Sequence, residues 1–140
     1  MTSGEARRRF AAARVARLAT ADAAGRPHIV PVVFALSGDT VVSAVDHKPK
    51  RTTALRRLAN VAENPAVALL ADHYAEDWSA LWWVRADGLA RVLEPGEPAA
   101  RDAVAALCER YAQYAERPPA GPVLAVAVSR WSGWSAASGG

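Results

Sequence analysis

The spacing of hydrophobic and polar positions changes several times along the chain, and each change marks an element. Residues 3–13, SGEARRRFAAA, are rich in helix-favouring alanine, and Ser3 is available as a cap. In residues 14–21, RVARLATA, Val15, Arg17 and Ala19 alternate with Ala16, Leu18 and Thr20, which predicts a strand. DAAGRP then reads as a turn. Residues 28–36, HIVPVVFAL, are rich in β-branched side chains and predict a second strand. Pro31 lies inside it and donates no ladder hydrogen bond, so it marks an edge, a bulge or a place where the backbone faces something else. SGDT is a tight turn, and residues 40–46, TVVSAVD, form the return strand.

A helix follows, with Thr52 or Thr53 as its cap and Leu55, Leu58 and Ala62 on one face. Arg57 and Asn60, three residues apart, share a different face. Asn64-Pro65 stops the helix, because the residue before proline resists the α conformation. Residues 66–72, 80–86 and 88–94 predict three more strands, with Asp87-Gly88 as a hairpin turn. The clearest helix is predicted over 98–115. Pro98 suits its first turn, and Val104, Leu107, Cys108 and Tyr111 form an apolar stripe. ERPPAGP is a stiff connector, and residues 123–131 form the last strand. The result is an α+β chain, mainly β: an antiparallel barrel with peripheral helices. No repeat and no low-complexity segment interrupts it.

A length of 140 residues and a hydrophobic share of 51% fit one domain, 1–140, with a real core. Cys108 is the only cysteine, which excludes an intrachain disulfide and argues against a cysteine-based zinc site. No stretch approaches the roughly 18 apolar residues that span a bilayer. The first 18 residues contain no long apolar run and read as mature structure, so a soluble, cytoplasmic protein is expected.

Charge changes the picture at one place. Between His47 and Ala62 stand Lys48, Lys50, Arg51, Arg56 and Arg57, with no acidic residue. Without those five the chain carries 12 basic against 14 acidic residues, so its basicity is local and points to a local anion. The run spans a strand-to-helix junction, where a helix N-terminus offers positive potential and unpaired N–H groups. Lys48, Lys50, Arg51 and a threonine hydroxyl there would seat a phosphate, and Arg57 and Asn60 would extend that surface. A solvated basic face is the plainer alternative.

The tryptophans are the other anomaly. Trp82 and Trp83 point to opposite faces of a strand, so one fits the core and the other needs cover. A homodimer, in which DWSALWWVR of one subunit reaches a cofactor held by the other, meets that need. Two core tryptophans in a thick barrel are the alternative.

At these residues a resemblance appears. RVARLATADAAGRPHIVPVVFAL, then TVVSAVDHKPKRTTALRRLANVAENPAVALLADHYAEDWSALWWVRADGLARVLE, resembles the pyridoxamine-phosphate-oxidase-like split β-barrel family. Within it the chain is most similar to the actinobacterial flavin/deazaflavin oxidoreductases that use coenzyme F-420. The likeness runs from about residue 6 to residue 134. It implies a homodimer with two cofactor sites at the interface. The ring would lie against Val32, Val33, Ser43 and Val45, and Lys48, Lys50, Arg51, Thr52, Arg57 and Asn60 would bind the phosphate. Many relatives carry lysine where this chain has Arg57, so charge is kept while reach changes. Trp78, with Trp82 or Trp83, would come from the other subunit, and Trp83 is taken as the site residue. The activity implied is hydride transfer to a conjugated small molecule, such as a biliverdin-like tetrapyrrole or a quinone. No side chain is assigned a catalytic role.

Other chemistry is weaker. His28, His47 and His73 lack a second ligand at metal-site spacing, so no metal is expected. G-x-S-x-G and G-x-G-x-x-G are both absent, and Cys108 sits on an apolar stripe. An FMN-dependent oxidase or reductase on the same barrel and a non-catalytic cofactor or haem carrier remain as alternatives. A nucleic-acid partner is not expected, since the basic charge is confined to one short segment without a recognised motif. No membrane partner is expected either.

Overall fold

The computed structural model describes residues 1–45 and 52–137, with the side chains of residues 52–55 outside the description. In chain order the elements are α1 (Ser3–Ala12), β1 (Ala16–Ala21), β2 (Pro27–Val32), β3 (Ala35–Ser37), β4 (Thr40–Ala44), α2 (Thr52–Glu63) and β5 (Ala66–His73). A 3₁₀ turn (Trp78–Ala80) leads into β6 (Trp82–Leu93), followed by α3 (Pro98–Arg110), α4 (Ala112–Glu116) and β7 (Val123–Ser135). The strands form one sheet in the order β2-β1-β5-β6-β7-β4-β3, antiparallel throughout.

That order forces closure. A flat seven-stranded sheet would hold its edges roughly 29 Å apart at the usual strand spacing. Yet the edge strands β2 and β3 are joined by Val33 and Phe34 alone, a link that reaches about 11 Å at most. The sheet must curl until its edges meet. The expected antiparallel split barrel is what the chain forms.

Apolar alternation fills its interior. Leu18, Phe34, Val41, Leu69, Val84 and Leu124 are buried together, and α1 lies against them through Ala6 and Phe10. The Phe10 ring sits 4.6 Å from that of Phe34 and 5.4 Å from that of Trp131. Arg7 Nε and Trp131 Nε1 both donate to Asp39 Oδ1 at 3.0 Å, tying α1 to the β3–β4 turn and β7. A second cluster lies outside the barrel, where Ala100, Ala103 and Leu107 of α3 cover Ala35, Val42, Leu93, Val123 and Ala125. Among the described residues no such helix covers the outer face of β2-β1-β5-β6, where Ile29 is 63% and Leu89 60% exposed.

Several predicted boundaries move, each for a physical reason. The cap of α1 is Thr2, whose Oγ1 accepts from the Glu5 N–H at 3.1 Å. The strand expected over 28–36 breaks at Val33–Phe34, the closure itself. The strands expected over 80–86 and 88–94 are one strand, and Asp87-Gly88 is no turn. Opposite that pair β7 carries an extra residue, a bulge at Ser129, whose Oγ donates to the Asp87 carbonyl at 3.1 Å. The bulge inverts the parity of β7, so Val126 and Val128 face inward before it and Trp131 after it. A Cβ on Gly88 would stand 2.3 Å from the Ala127 carbonyl oxygen, so glycine here serves close backbone approach. The helix expected over 98–115 divides at Tyr111, whose φ of −121° and ψ of 121° are extended. The last strand runs on to Ser135.

Gly88→Ala should therefore lower stability by about 1–3 kcal/mol, since backbone at the bulge must shift to admit the methyl group. Urea unfolding checks this, and an unchanged midpoint would contradict it.

Asp39 gives a pH prediction. The Trp131 and Arg7 hydrogen bonds hold its carboxyl below the ordinary 3.8. Its contribution is complete above that value and fades as pH falls through the lowered one. Asp39→Asn should flatten the dependence of stability on pH below about 3.8, while leaving its slope near pH 7 unchanged.

Candidate functional site

The curled sheet leaves a split where β2 meets β4, since these strands share no ladder. A cleft of about 350 Å³ lies there, lined by Pro31, Val32, Val33, Ser43, Ala44, Val45, Arg57, Tyr114 and Pro119. Each part arrives from a different element. Pro31 lies on the edge strand opposite Arg17, where a missing N–H costs no ladder bond on the open side. Ser43 is buried in β4 and donates its Oγ hydrogen to the Val33 carbonyl at 2.9 Å, a side-chain bond across the split. Val45 donates to the Pro122 carbonyl at 3.0 Å, which draws the proline-rich connector alongside and brings Pro119 to the wall. The extended geometry at Tyr111 redirects the chain into α4, which carries Tyr114 to the same wall.

Among the described residues one cation lines this space, whose surface mixes polar and apolar groups. Arg57, in the second turn of α2, is 8% exposed and lines the cleft. His28, on the inward side of β2, registers the local potential. Burial first, and then the positive charges of Arg56 and Arg57, lower its pKa from the ordinary 6.5, so the ring is neutral at neutral pH. A slot of mixed polar and apolar lining with a buried guanidinium suits a flat ring that has polar edges and bears or leads to an anion.

The cleft brings together Val32, Val33, Ser43, Val45 and Arg57, which the sequence reading had placed in one site. Lys48, Lys50 and Arg51 lie outside the described residues, as does the side chain of Thr52, whose backbone opens α2. Asn60, expected beside the phosphate, is instead buried and donates Nδ2 to Thr20 Oγ1 at 3.0 Å, pinning α2 to β1. Its shared helical face with Arg57 indicated nearness but not which group it would meet.

Trp78 and Trp83 do not line the cleft of their own chain. Trp82 is the inward member of the pair, packed on the barrel core beneath the Arg9 guanidinium, 5.3 Å from the ring centre. Trp83 faces outward between Asp72 and Trp134, with the Arg85 guanidinium 5.7 Å from its ring. Trp78 is 69% exposed, as is Tyr74 at 68%. Sequence reasoning missed Tyr114 and Pro119 as cleft residues. The stiffness of ERPPAGP was the available signal, since a rigid connector makes a good wall. Among the described residues no three of His, Cys, Asp and Glu gather as metal ligands, and no helix is long and apolar enough to cross a membrane.

Solved structures share this arrangement. The haem storage protein HutZ from Vibrio cholerae superposes with a TM-score of 0.72 at 18% identity, over 96% of this chain and 95% of its own. A FAD-binding protein from Mesorhizobium loti gives 0.71 at 21% identity, over 95% and 94%. A FAD-binding protein from Mycobacterium smegmatis gives 0.61 at 24% identity, over 96% and 95%. At these identities the likeness is one of fold. No curated protein matches the sequence significantly. The family model of pyridoxamine 5′-phosphate oxidase, however, matches residues 2–135, nearly the whole described barrel, and the chain belongs to that family.

Proposed function

We propose that the cleft holds the ring of a flavin-type cofactor, that the cofactor is the deazaflavin coenzyme F-420, and that the protein is an oxidoreductase acting on conjugated small molecules. The carrying observation is the convergence of Val32, Val33, Ser43, Val45 and Arg57 on one slot at the barrel split. The residues present fit such a group. A volume of about 350 Å³ lies within the usual range for small-molecule sites, the strand residues offer apolar walls, and Arg57 supplies buried positive charge. Val32, Val33, Ser43 and Val45 would flank the ring, while Arg57 and the run Lys48, Lys50, Arg51 and Thr52 would take the phosphate. When bound, the cofactor supplies two-electron hydride chemistry, and the protein positions it and excludes water. FAD binding by two fold neighbours supports a flavin-type ligand, while the deazaflavin choice rests on the sequence resemblance.

Haem carriage is the second reading, favoured by HutZ and by a haem-binding protein from Mycobacterium smegmatis of the same fold. In this chain His73 is exposed at the end of β5 and stacks 6.3 Å from Trp82, the one described histidine placed to meet a large external ring.

Titrating the protein in parallel with F-420, FMN, FAD and haem separates these readings. F-420 should bind most tightly and support reduction of a quinone or biliverdin. Lys50→Ala and Arg51→Ala should each weaken its binding by about 1–3 kcal/mol. Stoichiometric haem binding with no flavin or deazaflavin binding would overturn the proposal in favour of carriage. Unchanged affinity in both variants would remove the phosphate from the basic run.

In this reading two copies pair through the outer face of β2-β1-β5-β6. Ile29, Leu89, Trp83 and Trp134 give that face its apolar surface, and Arg17, Asp72, Arg85 and Asp87 give it charges of both signs. Such a mixture is self-complementary across a two-fold axis. Pairing would cover Trp83 and bring Trp78 of one subunit towards the cleft of the other. Leu89→Arg should convert a dimer to a monomer in sedimentation, while a monomeric parent protein would refute the assembly.

A further inference from the structure

We propose that Tyr111, with Arg110, is a positioning residue for the cofactor cleft: the two close the barrel at Val33–Phe34 through side-chain hydrogen bonds and so set the lip of the cleft. The inference rests on the cleft being the cofactor site, although its structural half can be tested alone.

Val33 and Phe34 lie outside both strand ladders, so their backbone polar groups need other partners. Side chains provide them. The Phe34 N–H donates to Tyr111 Oη at 3.1 Å, and the Phe34 carbonyl accepts from Tyr111 Oη at 2.8 Å and from Arg110 Nη1 at 3.0 Å. The Val33 carbonyl accepts from Ser43 across the split. One phenol therefore both accepts from and donates to the same residue, which ties down the two peptide groups that flank the Phe34 Cα.

The same pair reaches back to a third segment. Arg110 Nη2 donates to the Ala13 carbonyl, and Tyr111 Oη also lies 3.0 Å from the Arg14 carbonyl, an alternative acceptor for its single proton. Arg14 returns the contact, donating Nη2 to the Arg110 carbonyl at 3.1 Å with its guanidinium 4.9 Å from the Tyr111 ring. Arg110 lies 4.7 Å from the Phe34 ring. The α1–β1 junction, the barrel corner and the α3–α4 junction are thus held at one point.

Two consequences reach the cleft. Val33, covalently next to the clamped residue, forms one lip. Tyr114 forms part of the wall and meets the Tyr111 ring edge-on at 6.0 Å. Loss of the hydroxyl would free the lip while leaving the ring, and so the packing, in place.

Tyr111→Phe tests this in the full chain. Its unfolding midpoint should stay near that of the parent. Amide exchange at Phe34 should accelerate about tenfold relative to β6, and the Kd for FMN or F-420 should rise about tenfold with a shifted visible spectrum of the bound ring. Ser43→Ala, which loosens Val33 from the other side, should shift that spectrum too. A merely structural role would lower the midpoint and leave the spectrum of the remaining complex unchanged. Parental exchange at Phe34, or parental affinity and spectrum, would overturn the proposal. If the parent binds neither FMN nor F-420, the cofactor reading fails and the exchange measurement still decides the clamp. Should Tyr111→Phe not fold, Arg110→Lys carries the same test, since lysine cannot bond both the Phe34 and Ala13 carbonyls.

Discussion

A two-residue link between the edges of a seven-stranded sheet governs this molecule. Val33 and Phe34 are too short a tether for any open sheet of this strand order, so the sheet must curl and its edges must meet. The edges do not zip together by a backbone ladder. Side chains hold the join instead: Ser43 spans it to Val33, and Tyr111 and Arg110 hold Phe34 at the corner. A ladder would fill the split with hydrogen bonds and side chains. Without one, the join leaves a slot between β2 and β4, and that slot is the cleft.

The rest of the fold serves the same corner. Phe10 of α1 packs on the Phe34 ring from inside the barrel, and Arg110 covers that ring from the α3 side. Asn60 fastens α2 to β1, which leaves Arg57, three residues earlier, directed into the slot. Two of the buried polar side chains thus divide their labour, one holding the helix and the other presenting charge. The bulge at Ser129 turns Trp131 inward and Trp134 outward on one strand. It thereby completes the core on one side and enlarges the apolar outer face on the other.

Much of the fold was legible in the sequence. Alternation located β1, because a half-buried strand imposes a period of two, while turn signals and β-branched runs located β4, β5 and β7. The errors occurred where one local signal serves two geometries. Asp-Gly marks a tight turn, but glycine is also required where backbones meet at a bulge, and sequence alone does not distinguish the two. The run HIVPVVFAL looks like one strand because both sides of its break are apolar. Only the sheet order reveals that the chain changes edges there. Tyr111 falls on the apolar stripe of a helix, and nothing in that spacing announces that its hydroxyl leaves the stripe to bind Phe34.

The site was legible in a similar measure. A basic run at a strand-to-helix junction marked where charge gathers, and it led to Arg57. Tyr114 and Pro119 escaped notice because they come from a short helix and a connector. Their nearness to Val33 and Val45 depends on the closure and not on sequence distance.

The central claim is that the barrel split seats a planar redox ring whose anionic tail runs to the basic entrance of α2. The most direct measurement is a crystal structure of the protein grown with F-420 or FMN. The account predicts the ring between Pro31–Val33 and Ser43–Val45, with its phosphate among Lys48, Lys50, Arg51 and Arg57. A ring bound anywhere else, with this slot vacant, would contradict it.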